Sequence, residues 1–176
     1  MSAKPAAPSA PSADHAAAPA LAPHDTRVRV LEAAEARRGE ATPAARLEAL
    51  GRAYVGLSLE RPAHFKIMFR PELVRLDRFP GAAACADSSF EQLRLTVSEL
   101  VEAGLGKPEE TDALVALCWS VAHGLAGLLL DGPLHHQLGV AGAQALIAPV
   151  MASFRLMAEA RMAQARGGAA QRSGKH

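Results

Sequence analysis

Trp119 and His123 stand four residues apart, so on a helix they share one face. An indole offers a broad stacking surface, and an imidazole offers one directed hydrogen bond. Together they could form the wall of a pocket for a small apolar molecule. They could equally be architecture, with the indole filling core volume and the imidazole satisfying a backbone carbonyl of a neighbouring helix. Phe65, Met68 and Phe69 form a second group at helical spacing. Methionine and aromatic side chains line adaptable hydrophobic pockets, and the same spacing also describes plain core. Gly124, beside the Trp–His pair, reads as a point of close helix packing.

Other chemistry finds few residues to carry it. Ser120 and His123 are three apart, but no orienting acid accompanies them. A phosphate-cradling glycine loop, a nucleophile elbow and a paired-carboxylate motif are all missing, so the chain reads as a non-enzyme without a cofactor. His135 and His136 sit in a loop, where adjacent imidazoles point apart. No cysteine or carboxylate follows them at ligand spacing, which argues against a metal. His64 is expected at the surface. Cys118, within an apolar helix, is expected to be an inert small hydrophobe, and Cys85, in a loop, to be the more reactive thiol. Two cysteines exclude a disulfide scaffold and a four-cysteine zinc site.

These residues must be positioned by helices. The 176 residues are 49% hydrophobic and only 4% aromatic, with no alternating strand pattern, so the chain is expected to be all-α. Residues 1–25 are an Ala/Pro-rich stretch whose prolines interrupt any helix, and a disordered tail without a secretory signal is expected. Residues 26–41 read as a short helix and linker. The folded domain is expected over 42–166, with a second disordered tail at 167–176. Thr42-Pro43 opens a helix carrying Leu47, Leu50, Tyr54 and Leu57, and Pro62 opens a short one closed by Pro71. Glu72 to Phe79 could form a turn or two, and Pro80-Gly81 reads as a break. Ser88 and Glu91 have capping-box spacing, predicting a helix start there and an end at Gly104. A further helix runs from Pro108 to Leu130, and a last one from about Val140 to Ala165 with a kink at Pro149.

The last two helices are unusually apolar. Leu114–Leu130 and Leu138–Phe154 each lack Asp, Glu, Lys and Arg. A membrane hairpin meets the lower length limit, but Trp119, Ser120, His123 and Gln144 fall inside it. No Lys or Arg lies between Lys107 and Arg155 to flank it. Burial on both sides accounts for them better, one side in the domain and the other against a second subunit. Ala122, Gly124, Ala126, Gly127, Gly142, Ala145 and Ala148 would permit close approach, and Leu128 and Ile147 are expected on the pairing face. The net charge of +1 argues against a dedicated nucleic-acid protein.

Trp119-Ser120-Val121-Ala122-His123-Gly124 resembles the W-x-x-x-H-G (WHG) motif of one C-terminal domain class in the TetR family of transcriptional regulators. Arg46–Val55, Arg61–Phe69 and Leu125–Gly132 are similar to other segments of that class, in order, so the resemblance spans about 42–165. It implies a helical regulatory bundle that encloses a small-molecule pocket and dimerises through its last two long helices. Thr26–Ala34 resembles the family's first-helix opening, but the helix-turn-helix that should follow is missing, and residues 1–53 contain no Phe, Tyr or Trp. The expectation is therefore a cytoplasmic, homodimeric, small-molecule-sensing domain of a TetR-like regulator. Its effector would be small and apolar, with Trp119, His123, Phe65, Met68 and Phe69 at the pocket. It would have no DNA-binding domain of its own and no membrane association. The alternative is an interaction protein that heterodimerises with intact regulators and modulates them.

Overall fold

The computed structural model describes residues 42–70 and 80–173. They form five helical segments and no strand: α1 (Pro43–Glu60), α2 (Pro62–Met68), α3 (Pro80–Glu102), α4 (Thr111–Leu130) and α5 (Pro133–Ser173), with a 3-10 turn at Pro108–Glu110 before α4. The expected helix at 26–41, the tail before it and the turn at 72–79 lie outside the described residues.

Helix α1 starts as its sequence dictates. Thr42 caps it, its hydroxyl accepting from the Ala45 amide at 3.2 Å, and Pro43 occupies the first turn, where a missing N–H costs nothing. Its buried set, Ala44, Leu47, Val55 and Ser58, follows one stripe, with Gly51 in its middle. The helix packs against α3, α4 and α5. Ser58 tolerates burial because its hydroxyl donates to the Val55 carbonyl at 2.7 Å.

Two apolar clusters stack along α1. Ala44 and Leu47 at its start meet Val97, Leu100 and Val101 of α3, Leu114 and Val115 of α4, and Ala158 and Met162 of α5. Val55 near its end meets Ala122, Leu125 and Leu129 of α4 and Ala143, Ile147 and Met151 of α5. This pairing makes α4 parallel to α1, and α3 and α5 antiparallel to it. Contact is close where side chains are small: a Cβ built on Gly51 of α1 would lie 2.4 Å from the Met151 sulfur.

Several boundaries differ from the sequence reading. Helix α3 starts at Pro80, not at Ser88, so the Ser88–Glu91 spacing falls inside a helix and caps nothing. Proline at a first turn is pre-set for helix, and Ala82 to Ala84 propagate it. Cys85 is consequently helical rather than in a loop. The end of α3 is as expected. Gly104 takes φ 98°, its amide donates to Val101 O, and the Leu105 amide donates to Leu100 O, both at 2.9 Å. Leu100 and Leu105 then meet in the core, completing a Schellman cap.

The link after α4 is helical rather than a loop, so His135 and His136 lie in the first turns of α5. The His135 Nδ1 is 3.1 Å from the Leu129 carbonyl. Non-helical backbone in α5 falls at Gly139 (φ 64°, ψ −178°), not at Pro149. Pro149 and Ala145, whose carbonyl loses its partner, are both on the exposed side, where water can serve that carbonyl. The helix also continues through Gly167 and Gly168 to Ser173, beyond the boundary expected at 166. An existing helix adds residues cheaply, even across glycine.

Pro108–Leu130 and Pro133–Gly168 are apolar and long enough to cross a membrane by length and composition alone. The first is anchored in both clusters by Leu114, Val115, Cys118, Ala122, Leu125, Ala126 and Leu129. The second is only 11% buried over its most apolar window, which leaves a wide uncovered face.

Candidate functional site

Four helices converge on one group of rings. Helix α1 supplies Tyr54, α2 supplies Phe65 and, at its C-terminal cap, Phe69, α3 supplies Phe90, and α4 supplies Trp119 and His123. The His123 imidazole packs against two phenyl rings that also touch each other: it is 5.4 Å from the centroid of Phe65 and 4.6 Å, edge-to-face, from Phe69, and those two are 5.3 Å apart. Phe65 is held from the other side by Tyr54 at 5.5 Å. Trp119 lies 6.3 Å from His123 and 6.2 Å from Phe69, and meets Phe90 edge-on at 5.6 Å. These separations are those at which aromatic pairs attract beyond simple burial.

The group is closed at its base and open at its rim. Phe65 is 6% exposed, whereas Trp119 and Phe69 are each 39% exposed and Phe90 is 44% exposed. Elsewhere α1 borders two open clefts of about 410 and 430 Å³. One is lined by Arg52, Gly56, Leu57, Gln144 and Ile147, the other by Glu48, Arg52 and Arg155. Both are lined by α1 and α5, and neither contains a ring of the cluster.

A polar thread runs through the rings. The Trp119 Nε1–H donates to the Tyr54 hydroxyl at 3.3 Å, and that hydroxyl is 2.9 Å from Nδ1 of His123. Nearby, the Lys66 ammonium pairs with Asp131 at 2.6 Å, tying α2 to the end of α4. Both side chains of that pair are well exposed, so it contributes at most about 1 kcal/mol.

The expected site residues therefore assemble, with one difference. Trp119, His123, Phe65 and Phe69 touch. Met68 is half-buried on the same short helix. Tyr54 and Phe90 were not expected at the site. Tyr54 read as one more member of an apolar stripe, and nothing in that stripe marks its hydroxyl as the link between Trp119 and His123. Phe90, on α3, lies at the rim. Cys118 is buried as expected, and desolvation pushes its thiol up to about 11.

Residues 47–160 match the family described as the tetracyclin repressor-like C-terminal domain. The chain belongs to that family. The match covers well over half of the chain and contains every ring of the cluster. Neither the curated proteins nor the solved structures contain a significant match to the chain. As a tetracycline repressor-like C-terminal domain, it is of a regulatory rather than a catalytic kind, and the family's members pair and bind small effectors.

Proposed function

We propose that this chain is the effector-sensing and dimer-forming unit of a TetR-like transcriptional regulator, and that a small, largely apolar molecule binds at the rings of Tyr54, Phe65, Phe69, Phe90, Trp119 and His123. One observation carries the reading: five of the chain's seven aromatic residues come from four helices to a single half-open patch. Phe154 and Tyr54 border the two aliphatic clusters, as packing rings do, whereas Phe69, Phe90 and Trp119 belong to neither. A molecule seated among rings borne on four helices would change how those helices pack, and differential packing is the currency of a regulatory switch. In this reading the output passes along α1 to DNA-reading helices joined to or paired with the domain.

The pairing surface is the outward side of α4 and α5. Leu117 and Leu128 flank Gly124 and Gly127, next to which a Cβ would meet nothing. Leu138, Val140, Leu156 and Met157 continue the surface on α5. No Lys or Arg interrupts it between Lys107 and Arg155. A second copy is the occupant that a self-complementary two-helix face fits, which makes a cytoplasmic homodimer the favoured state. Ile147, expected on this face, belongs instead to the domain's own core and is 9% exposed.

The test uses the chain's only tryptophan. A panel of small hydrophobic compounds should include members that quench or shift Trp119 emission and raise the thermal midpoint. If no member does either, the rings are packing and the sensor reading falls.

A further inference from the structure

Resting on that reading of the site, we infer that the cluster selects apolar molecules bearing a carbonyl-type oxygen, which accepts a hydrogen bond from Nε2–H of His123. The argument starts at the indole. Trp119 Nε1–H can only donate, and it donates to the Tyr54 oxygen. The Tyr54 hydroxyl then has its own proton to pass on, and Nδ1 of His123 stands 2.9 Å away. Hydrogen bonds running in one direction reinforce one another, so Trp119 to Tyr54 to His123 is the favoured order. Nδ1 is then the acceptor, and the single proton of the neutral ring is on Nε2.

Nε2 is the unused end of this relay. It has no hydrogen-bond partner among the described residues, and it is not one of the buried, unpaired polar atoms, so it reaches solvent. A donor on a ring packed against both Phe65 and Phe69, beside an indole N–H and a hydroxyl that already bond each other, fixes what a guest must bring. An acceptor oxygen satisfies it, whereas a purely hydrocarbon guest displaces its water and leaves it unpaired. The competing guest is a cation, since aromatic faces attract positive charge. Against that guest, none of the six side chains is acidic, and the polar group on offer is itself a donor.

The test has two parts. Long-range ¹⁵N–¹H spectra of the unmodified, ligand-free protein should show His123 with its proton on Nε2. A Nδ1–H ring would overturn the inference without touching the sensor reading. Calorimetry should then compare three naphthalenes of similar shape: 2-methylnaphthalene, 2-acetylnaphthalene and 2-naphthylmethyl-trimethylammonium. The ketone should bind about 2–10-fold more tightly than the methyl compound, the range one neutral hydrogen bond gives. The advantage should vanish in His123→Phe and shrink in Tyr54→Phe, which frees the tautomer. Equal binding of all three, or tightest binding of the cation, would overturn the donor assignment while leaving a hydrophobic site in place. Binding of none would remove both.

Discussion

Tyr54→Phe removes one oxygen and two hydrogen bonds while keeping the ring that packs on Phe65. A neutral hydrogen bond nets about 0.5–1.5 kcal/mol, so complete loss of both would cost about 1–3 kcal/mol. Trp119 and His123 both reach water, which replaces part of that, and about 1 kcal/mol is the expected destabilisation. His123→Phe keeps a ring against Phe65 and Phe69 and removes only the Tyr54 bond, at a similar cost. The two changes break the same bond. The double variant should therefore fall short of the sum by about 0.5–1 kcal/mol, which is the coupling a shared contact produces. Thermal unfolding resolves this, since 1 kcal/mol moves the midpoint of a domain of this size by about 3–6 °C. Trp119 emission supplies a second readout, because Tyr54→Phe removes the acceptor of its indole N–H. Strict additivity together with unchanged emission would refute the relay, and with it the reasoning that orients His123.

Leu128→Asp should convert the dimer to monomer in light scattering with helicity retained, because Leu128 is 45% exposed on the outward face; a clean monomer of the unmodified chain at micromolar concentration would defeat the pairing. Ile147→Asp should instead unfold the domain, since it places a charge in the core. Cys118 should resist thiol reagents until the protein unfolds. Burial raises its pKa from 9.0 to about 11, so folding favours the protonated thiol. The stability this confers is fully present below pH 9 and is lost as pH rises towards 11, by about 2–3 kcal/mol; a flat stability profile across that range would contradict the burial. The 176-residue chain should give no sequence-selective shift of duplex DNA that survives excess competitor at physiological salt.

Periodicity and capping made most of the helices legible, and four of the five expected site residues come together while the fifth, Met68, lies on the same short helix as Phe65. Two kinds of feature were not legible. The first is a start signal overridden by a longer helix. Ser88 and Glu91 have the right spacing, yet Pro80 and the alanines after it begin the helix earlier, because a spacing cannot show that helix already exists upstream. The second is partnership across the chain. Tyr54 is 69 residues from His123. Its position in the α1 stripe fixes which way it faces, but not that its hydroxyl bridges two side chains of α4. Ile147 illustrates the same limit, since an uncharged helix gives no sign of which flank its own domain covers. The start of the last long helix at Val140 was legible, since the backbone break falls at Gly139, whereas the kink expected at Pro149 is not where the non-helical backbone lies.

Helix α2 is seven residues long, well short of what persists alone in water. The wall that carries Phe65 and Phe69 is therefore folded only while its neighbours hold it, and local opening of this wall needs far less free energy than opening of the core. Amide protons at Ala63 to Met68 should consequently exchange with solvent long before those at Val97 or Leu129. A guest lodged between Phe69 and Trp119 would be reported first as slower exchange in that one turn of chain. On the proposed function, the seven-residue helix would make the site's occupancy a local folding equilibrium and couple recognition to a measurable clock.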